Sequence, residues 1–497
     1  MIRGKLMLGL SALAVVGYGS EADARRDDLV MNRYMAVFKG ESLPADVAER
    51  VAKAGGRLSL RIDGIGVVTA TGDAGFVSKL EKDPDVLAVG PEFFDELPAT
   101  SEMELNETEG TGVAEEGVAV QSASYLAPTP ADNLYFYLWD IRRIGAPAAW
   151  ARIPAAVQRQ ATVAVLDTGV MDDHPDLIGQ VVDRVATNYC QEKGGAFASA
   201  SYPIYKTFIN LVANPDWEPA DGCSVAPSVA YNNHGTHVAG TIAAKVGGGR
   251  VVGVAPGVGI AAYKVFDRYR TTNAGGGVVD SVGAFSGPLL AAIVDAANKG
   301  HDVISMSLGG AYDRSIKSHN ASWLARDRVA KYAHRKGSIL VASSGNSAVG
   351  SNGTVAHLPS DLPTVISTSA SNSDNIQFNA AGLYTAAPGS DTFASYSNYG
   401  ASTDIAAPGG DCGPDGCLAK YFILSTIISN TGAPGYGFLA GTSMATPHVS
   451  AVAALVRAQH PEWTPGQVRA HLQATSDDVG YRQYFGHGIL NADAATR

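Results

Sequence analysis

Cysteine is scarce. Four residues, Cys190, Cys223, Cys412 and Cys417, in a chain of 497 are too few for a disulfide scaffold, and none are spaced as the C-x-x-C pairs of a zinc site. Basic residues are also in deficit, 37 Lys and Arg against 48 Asp and Glu, and they gather into no stripe. The resulting net charge of −11 repels a phosphate backbone, which argues against nucleic acid as a partner. No uninterrupted apolar run reaches the roughly 18 residues of a membrane-spanning helix. Even the uncharged stretch from Tyr421 to Val456 is broken throughout by Gly, Pro, Asn, Ser and His, so it reads as protein core. Charged residues make up only 17% against 46% hydrophobic, a balance that excludes a disordered or fibrous chain. Internal repeats are absent.

What is present begins with a targeting pattern. Arg3 and Lys5 precede an apolar run from Leu6 to Val16, then small residues and Ala22-Asp23-Ala24. This layout predicts a cleavable secretory signal over 1–24, export to an extracellular or periplasmic space, and conditions that permit two disulfides. The run is too short for a membrane anchor.

Three further regions follow. Within 25–96, Tyr34 to Phe38, Leu58 to Ile62, Ile65 to Ala70 and Val86 to Val89 read as strands, and Val47/Val51/Ala54 and Phe76/Val77/Leu80 recur at helical spacing. The order β-α-β-β-α-β predicts a small ferredoxin-like α+β domain. From 97 to 131, six glutamates (102, 104, 107, 109, 115 and 116) occur without one Lys or Arg, as in a solvated linker that is easily cut. From 132 to 497, apolar strands (Thr162 to Leu166, Ile260 to Phe266, Asp302 to Met306, Ile339 to Ala342, Thr364 to Ile366) alternate with helical segments. That alternation predicts an α/β domain with a doubly wound, mostly parallel sheet.

Asp167 ends the first of those strands, at the edge where such sheets build their sites. His234 opens a helix at His234-Gly235-Thr236-His237-Val238-Ala239-Gly240, and Ser443 sits in the first turn of another at Gly441-Thr442-Ser443-Met444-Ala445-Thr446-Pro447-His448. Taken singly, an Asp after a strand is a turn residue and a Ser before a helical run is a cap. His234 and His237 without a nearby Glu or Cys make a poor metal site, and His237 is assigned to structural hydrogen bonding. The Gly247-Gly248-Gly249 run follows a helix and precedes a strand, the reverse of a dinucleotide loop. Ala445 excludes the G-x-S-x-G elbow. Together, however, the Gly-flanked segments around Asp167, His234 and Ser443 resemble the subtilisin-like serine proteases, in which Asp, His and Ser occur in this order.

The resemblance implies a secreted serine endopeptidase acting through an acyl-enzyme. His234 is then the base for Ser443 and is oriented by Asp167, with Nε2 facing the serine. It also implies an oxyanion donor at Asn346, in Val341-Ala342-Ser343-Ser344-Gly345-Asn346, a substrate-pairing strand at Ser307, Leu308 and Gly309, and an opposing edge at Gly283. His357 is expected near the floor of the specificity pocket, beside a cis Leu358–Pro359 bond. No cofactor is required. Calcium is allowed at Asp176, although Lys245 to Val251 carries glycine and Arg250 where relatives place an Asn ligand. Cys412 and Cys417 are expected to close a local disulfide, and Cys190 and Cys223 to staple the insertion between Asp167 and His234. The domain over 25–96 resembles the family's inhibitory propeptide, so the partners are polypeptide substrates and the chain's own propeptide. Self-cleavage is expected after Phe94, near Leu97 to Ala99, with trimming up to Asn133. A catalytically silent binding scaffold, a dedicated precursor-maturation protease and an esterase are the alternatives.

Overall fold

The computed structural model describes residues 32–73, 75–97, 101–104, 128–129, 131–187, 232–272, 278–351, 353–429 and 432–497. The expected signal over 1–24, Cys190, Cys223 and most of the acidic stretch lie outside them. β1 (Arg33–Phe38), a helix over Val47–Lys53, β2 (Gly56–Ile62), β3 (Val67–Gly72), a helix over Phe76–Leu80 and β4 (Val86–Pro91) occur in the expected order. The four strands form an antiparallel sheet in the spatial order β2-β3-β1-β4, the ferredoxin-like arrangement.

Strand alternation gives this small sheet two apolar faces. Ala36, Phe38, Val68 and Ala70 pack with Val47, Val51, Phe76 and Leu80 of its own helices. Met35, Val37, Ile62 and Val67 pack instead among Leu289, Ile293, Ala325 and Val329 of the larger domain. At the seam between the domains, Arg33 and Glu92 of the small domain form a buried ion pair at 2.7 Å, and Glu92 Oε1 reaches across to accept from the Gly287 N–H at 2.9 Å. Gly287 lies in the first turn of the Ser286–Asn298 helix, where the helix dipole favours a carboxylate.

The chain then runs as β5 (Phe94–Glu96) and β6 (Ser101–Glu104). Beyond it come β7 (Thr162–Asp167), β8 (Val181–Ala186), β9 (Gly259–Lys264), β10 (Asp267–Thr272), β11 (Val278–Phe285), β12 (Val303–Met306), β13 (Gly310–Asp313) and β14 (Ile339–Ser343). The main sheet has the order Asp391–Phe393, Val365–Ser373, β14, β12, β7, β9, β8, with Ile405–Pro408 beside Val365–Ser373. Its pairings are parallel except at Asp391–Phe393.

Alternation again assigns the faces. Val163, Val165, Ile260, Ile339 and Val341 join the core around the His234–Ala243 and Thr442–Gln459 helices. Ala164, Leu166, Ala261, Ile304 and Leu340 join the core around the Ser286–Asn298 and Asn320–Lys336 helices. Both faces are covered, which is why these strands read as unbroken apolar runs. β8 and β11 escaped detection because Asp183 and Arg184 interrupt the first and Asp280, Ser281 and Gly283 the second. The start of the acidic stretch is also corrected. Ser101–Glu104 is a strand paired with Pro434–Ala440.

Candidate active site

Because β14, β12 and β7 are consecutive neighbours and parallel, their C-terminal ends bring Ser343 to Asn346, Ser307 and Asp167 to one edge. Asp167 is held in place by its own turn, its Oδ1 accepting from the Thr168 N–H at 2.7 Å. Gly169 then takes φ +102°, a left-handed conformation that favours glycine. His234 begins its helix directly against this turn, since a Cβ on Gly235 would lie 3.1 Å from Asp167. The Thr168 hydroxyl closes the junction by accepting from the Gly235 N–H at 3.0 Å.

His234 Nδ1 lies 2.9 Å from both carboxylate oxygens of Asp167, and both side chains are buried. An Nδ1–H donated to the carboxylate leaves the Nε2 lone pair open, and Nε2 is buried without a partner among the described residues. His237, one turn later, donates from Nε2 to the Ile423 carbonyl at 2.9 Å. Burial pushes its pKa down to about 3, so it stays neutral and structural.

Ser443 is the second residue of the Thr442–Gln459 helix. Pro447, four residues later, has no N–H for the Ser443 carbonyl. The Ser307 hydroxyl takes that place, donating to the Ser443 carbonyl at 2.8 Å. In return the Ser443 hydroxyl donates to the Ser307 carbonyl at 3.2 Å. The expected bond from Ser443 to His234 Nε2 is therefore not made in this state. Such bonds often tighten only once a substrate is engaged.

Asn346 follows Gly345, which has φ +103°. Its Oδ1 accepts from the Thr442 N–H at 2.9 Å and the Thr442 hydroxyl at 2.6 Å. These bonds fix the amide orientation, and Nδ2 is left buried with no partner among the described residues. A spare side-chain donor thus stands beside the N-terminus of a helix, whose first N–H groups have no intrahelical acceptor. This pair of features suits a developing oxyanion.

Ser307, Leu308 and Gly309 continue from β12, and Gly283 lies on β11. His357 falls between two of these segments: a Cβ on either Gly309 or Gly345 would run into its ring. Its Nδ1 is 3.2 Å from the Ser360 hydroxyl, and Leu358–Pro359 is cis. Cys412 and Cys417 have their sulfurs at bonding distance, with Cα atoms 4.1 Å apart.

At Asp176, where the resemblance allows calcium, Oδ1 is buried with no hydrogen-bond partner among the described residues. Asp176 is fully buried, and its Oδ2 accepts from the Tyr436 hydroxyl at 2.7 Å and the Arg250 N–H at 3.3 Å. Asp132, nearby, accepts from the Gly247 N–H at 2.9 Å. The loop thus turns amide donors toward the carboxylates, where a hard cation needs oxygen ligands, and the Arg250 guanidinium lies 5.5 Å from the Tyr436 ring. Among the described residues no three His, Cys, Asp or Glu side chains converge as metal ligands.

The chain's own segments pair with the strands that carry Gly283 and lead into Ser443. β5 pairs antiparallel with β11, with Phe94 opposite Phe285, Asp95 opposite Ala284 and Glu96 opposite Gly283. The Leu97 N–H reaches the Val282 carbonyl at 3.2 Å. β6 pairs with the strand leading into Ser443, Ser101 opposite Ala440. Two buried residues were missed from sequence, Tyr312 on β13 and Arg326 on the Asn320–Lys336 helix. A signal for Arg326 existed, because it lies on the same helix face as Ser322, Val329 and Ala333, where a charge is rarely buried unpaired.

A model of the subtilase family matches residues 158–488. Alkaline elastase YaB of Bacillus sp. (strain YaB) is 32% identical over 359 residues, 72% of this chain and 70% of the relative. Subtilisin E of Bacillus subtilis (strain 168) is 28% identical over 497 residues, covering 99% of this chain and 98% of the relative. In fold, the epidermin leader peptide processing serine protease of Staphylococcus aureus is similar with a TM-score of 0.65 at 22% identity, over 93% of this chain and 97% of that one. The chain therefore belongs to the subtilase family and is a serine endopeptidase.

Proposed function

We propose that this protein is a secreted endopeptidase made as a self-processing zymogen, with Asp167, His234 and Ser443 as its triad and Asn346 as its oxyanion donor. The observation that carries the reading is the path of its own chain. Residues 94–97 pair with β11, and residues 101–104 pair with Pro434–Ala440, the strand that leads into Ser443. The reading puts the first cut in the segment between these two pairings.

In the proposed reaction, the Ser443 hydroxyl leaves the Ser307 carbonyl and gives its proton to the free Nε2 of His234. Its oxygen then attacks the peptide carbonyl carbon. The carbonyl oxygen takes up negative charge and is met by Asn346 Nδ2 and the Ser443 N–H. Asp167 holds the imidazolium until His234 protonates the departing amine. Water then repeats the proton transfers on the acyl-enzyme and frees Ser443. The N-terminal domain, docked on the Ser286–Asn298 and Asn320–Lys336 helices, acts as the temporary inhibitor, and the Cys412–Cys417 pair as a disulfide of the exported protein.

Intact mass and N-terminal sequence of the secreted protein, native and Ser443→Ala, test this reading. Self-processing predicts that only the native chain loses its N-terminal domain, with the first cut between Leu97 and Ser101. Identical maturation of both chains would assign the cut to another protease. An uncut native chain whose Ser443 resists a fluorophosphonate would refute the proposed catalysis.

A further inference from the structure

Asp95 occupies a pocket of the larger domain built from three separate segments. The Tyr312 hydroxyl donates to Asp95 Oδ1 at 2.9 Å, and Arg326 Nη2 donates to Asp95 Oδ2. Nη2 is also 2.9 Å from the Ser286 hydroxyl, and the guanidinium carbon lies 4.8 Å from the centre of the Tyr312 ring. The side chains of Arg326 and Asp95 are 2% and 5% exposed, and Tyr312 and Ser286 are buried. A Cβ on Gly310 would strike Asp95 Oδ1, so glycine there keeps the path to the carboxylate open.

The charge balance of this pocket is split between two parts of the protein. Arg326, Tyr312 and Ser286 belong to the larger domain, and the anion comes from the segment removed by the proposed processing. Among the described residues Asp95 is the one acid paired with Arg326, and Arg326 Nε and Nη1 have no partner. A guanidinium buried in this way is costly without a counter-charge. Asp95 also reaches the pocket through backbone pairing with Ala284, the pairing any extended peptide makes when it adds a strand to β11.

We propose that this pocket is a specificity subsite for an acidic side chain of the polypeptide substrate, with Arg326 and Tyr312 reading the carboxylate of the residue that lies opposite Ala284. The proposal rests on the reading of the cleft as the endopeptidase site. It makes Asp, two positions before the residue equivalent to Leu97, a preferred feature of substrates. The planar guanidinium and the phenol hydroxyl together discriminate a carboxylate from its uncharged isostere.

The test uses protein recovered from full-length expression and internally quenched peptides with the sequence of residues 92–104. These carry Asp, Asn or Leu at the position of Asp95, and the bond cut in each is identified by mass. The Asp peptide is expected to exceed the other two in kcat/KM by on the order of 30-fold or more, the cost of leaving one member of a buried charge pair alone. Arg326→Leu should reverse the order of the Asp and Leu peptides, and Tyr312→Phe should narrow the Asp advantage. Should Arg326→Leu fail to fold, the wild-type comparison and Tyr312→Phe decide. Equal kcat/KM for the three peptides would overturn the proposal and make the Asp95–Arg326 pair a clamp for the N-terminal domain alone. Absence of cleavage of every peptide, with no fluorophosphonate label on Ser443, would instead refute the protease reading beneath it.

Discussion

Asp176→Asn isolates the cost of a buried carboxylate and, in the same experiment, the question of calcium. Asp176 has the Tyr436 hydroxyl and the Arg250 N–H as hydrogen-bond donors. The His174 ring is 3.7 Å away and held neutral at ordinary pH because burial pushes its pKa down to about 4. Burial pushes the Asp176 pKa up from 3.8 to about 6. The folded chain therefore keeps a proton between pH 4 and 6 that the unfolded chain has already lost. More protons bound in the native state means that the Asp176 contribution to stability falls as pH rises through this window and is level on either side of it. About two units correspond to roughly 3 kcal/mol. On a Ser443→Ala background, which prevents self-digestion, Asp176→Asn should gain about 3 kcal/mol over its parent between pH 4 and pH 7, read from urea midpoints. A difference that stays constant with pH would refute the burial argument. Millimolar calcium should shift parent and variant alike, and a rise confined to the parent would show that the loop's amide donors do not exclude the ion.

Asn346→Ala removes the buried amide aimed away from Thr442. Its kcat should fall about 10²- to 10³-fold with KM nearly unchanged, the range measured on the oxyanion asparagine of a subtilisin, a member of this same family. Ser307→Ala leaves the Ser443 carbonyl without its hydroxyl donor, because Pro447 supplies no N–H in its place. A loss of about 1 to 3 kcal/mol in denaturation of the inactive background is expected, and an unchanged midpoint would show that another donor takes over. Glu92→Gln neutralises the buried carboxylate that pairs with Arg33 and weakens the cap on Gly287. The cleaved N-terminal domain should then inhibit at least about 10²-fold more weakly, measured as the inhibition constant in a peptidase assay.

The part of the site legible from sequence is the part encoded locally. Asp167, His234, Asn346 and Ser443 each lie in a short run of small residues at an element end, and the structure brings Asp167 to His234 and Asn346 to the Ser443 helix. The buried strands were legible because both faces are covered. β8 and β11 were not, since one carries charge and the other Gly and Ser. The pairing of Asp95 with Arg326 spans 231 residues and that with Tyr312 spans 217. Both depend on how one domain docks on another, which no local pattern encodes. Ser443 held by Ser307 was hidden because the two lie 136 residues apart on different elements of one domain, although Pro447 announces that the Ser443 carbonyl needs a donor from elsewhere.

The ties that orient the proposed catalytic groups differ in origin from those that close the Asp95 pocket. Asp167 with His234, Thr442 with Asn346, and Ser307 with Ser443 are bonded within the larger domain, from strand ends and helix starts at one edge of a sheet covered on both faces. Removing the N-terminal domain breaks none of these bonds, so the geometry that meets a transition state is preorganised without it. The Arg326 pocket is different, because its counter-charge leaves with Asp95. In the proposed reading, processing leaves the triad bonds as they were and takes away the carboxylate paired with Arg326. In the proposal, a substrate supplies that anion from the residue opposite Ala284.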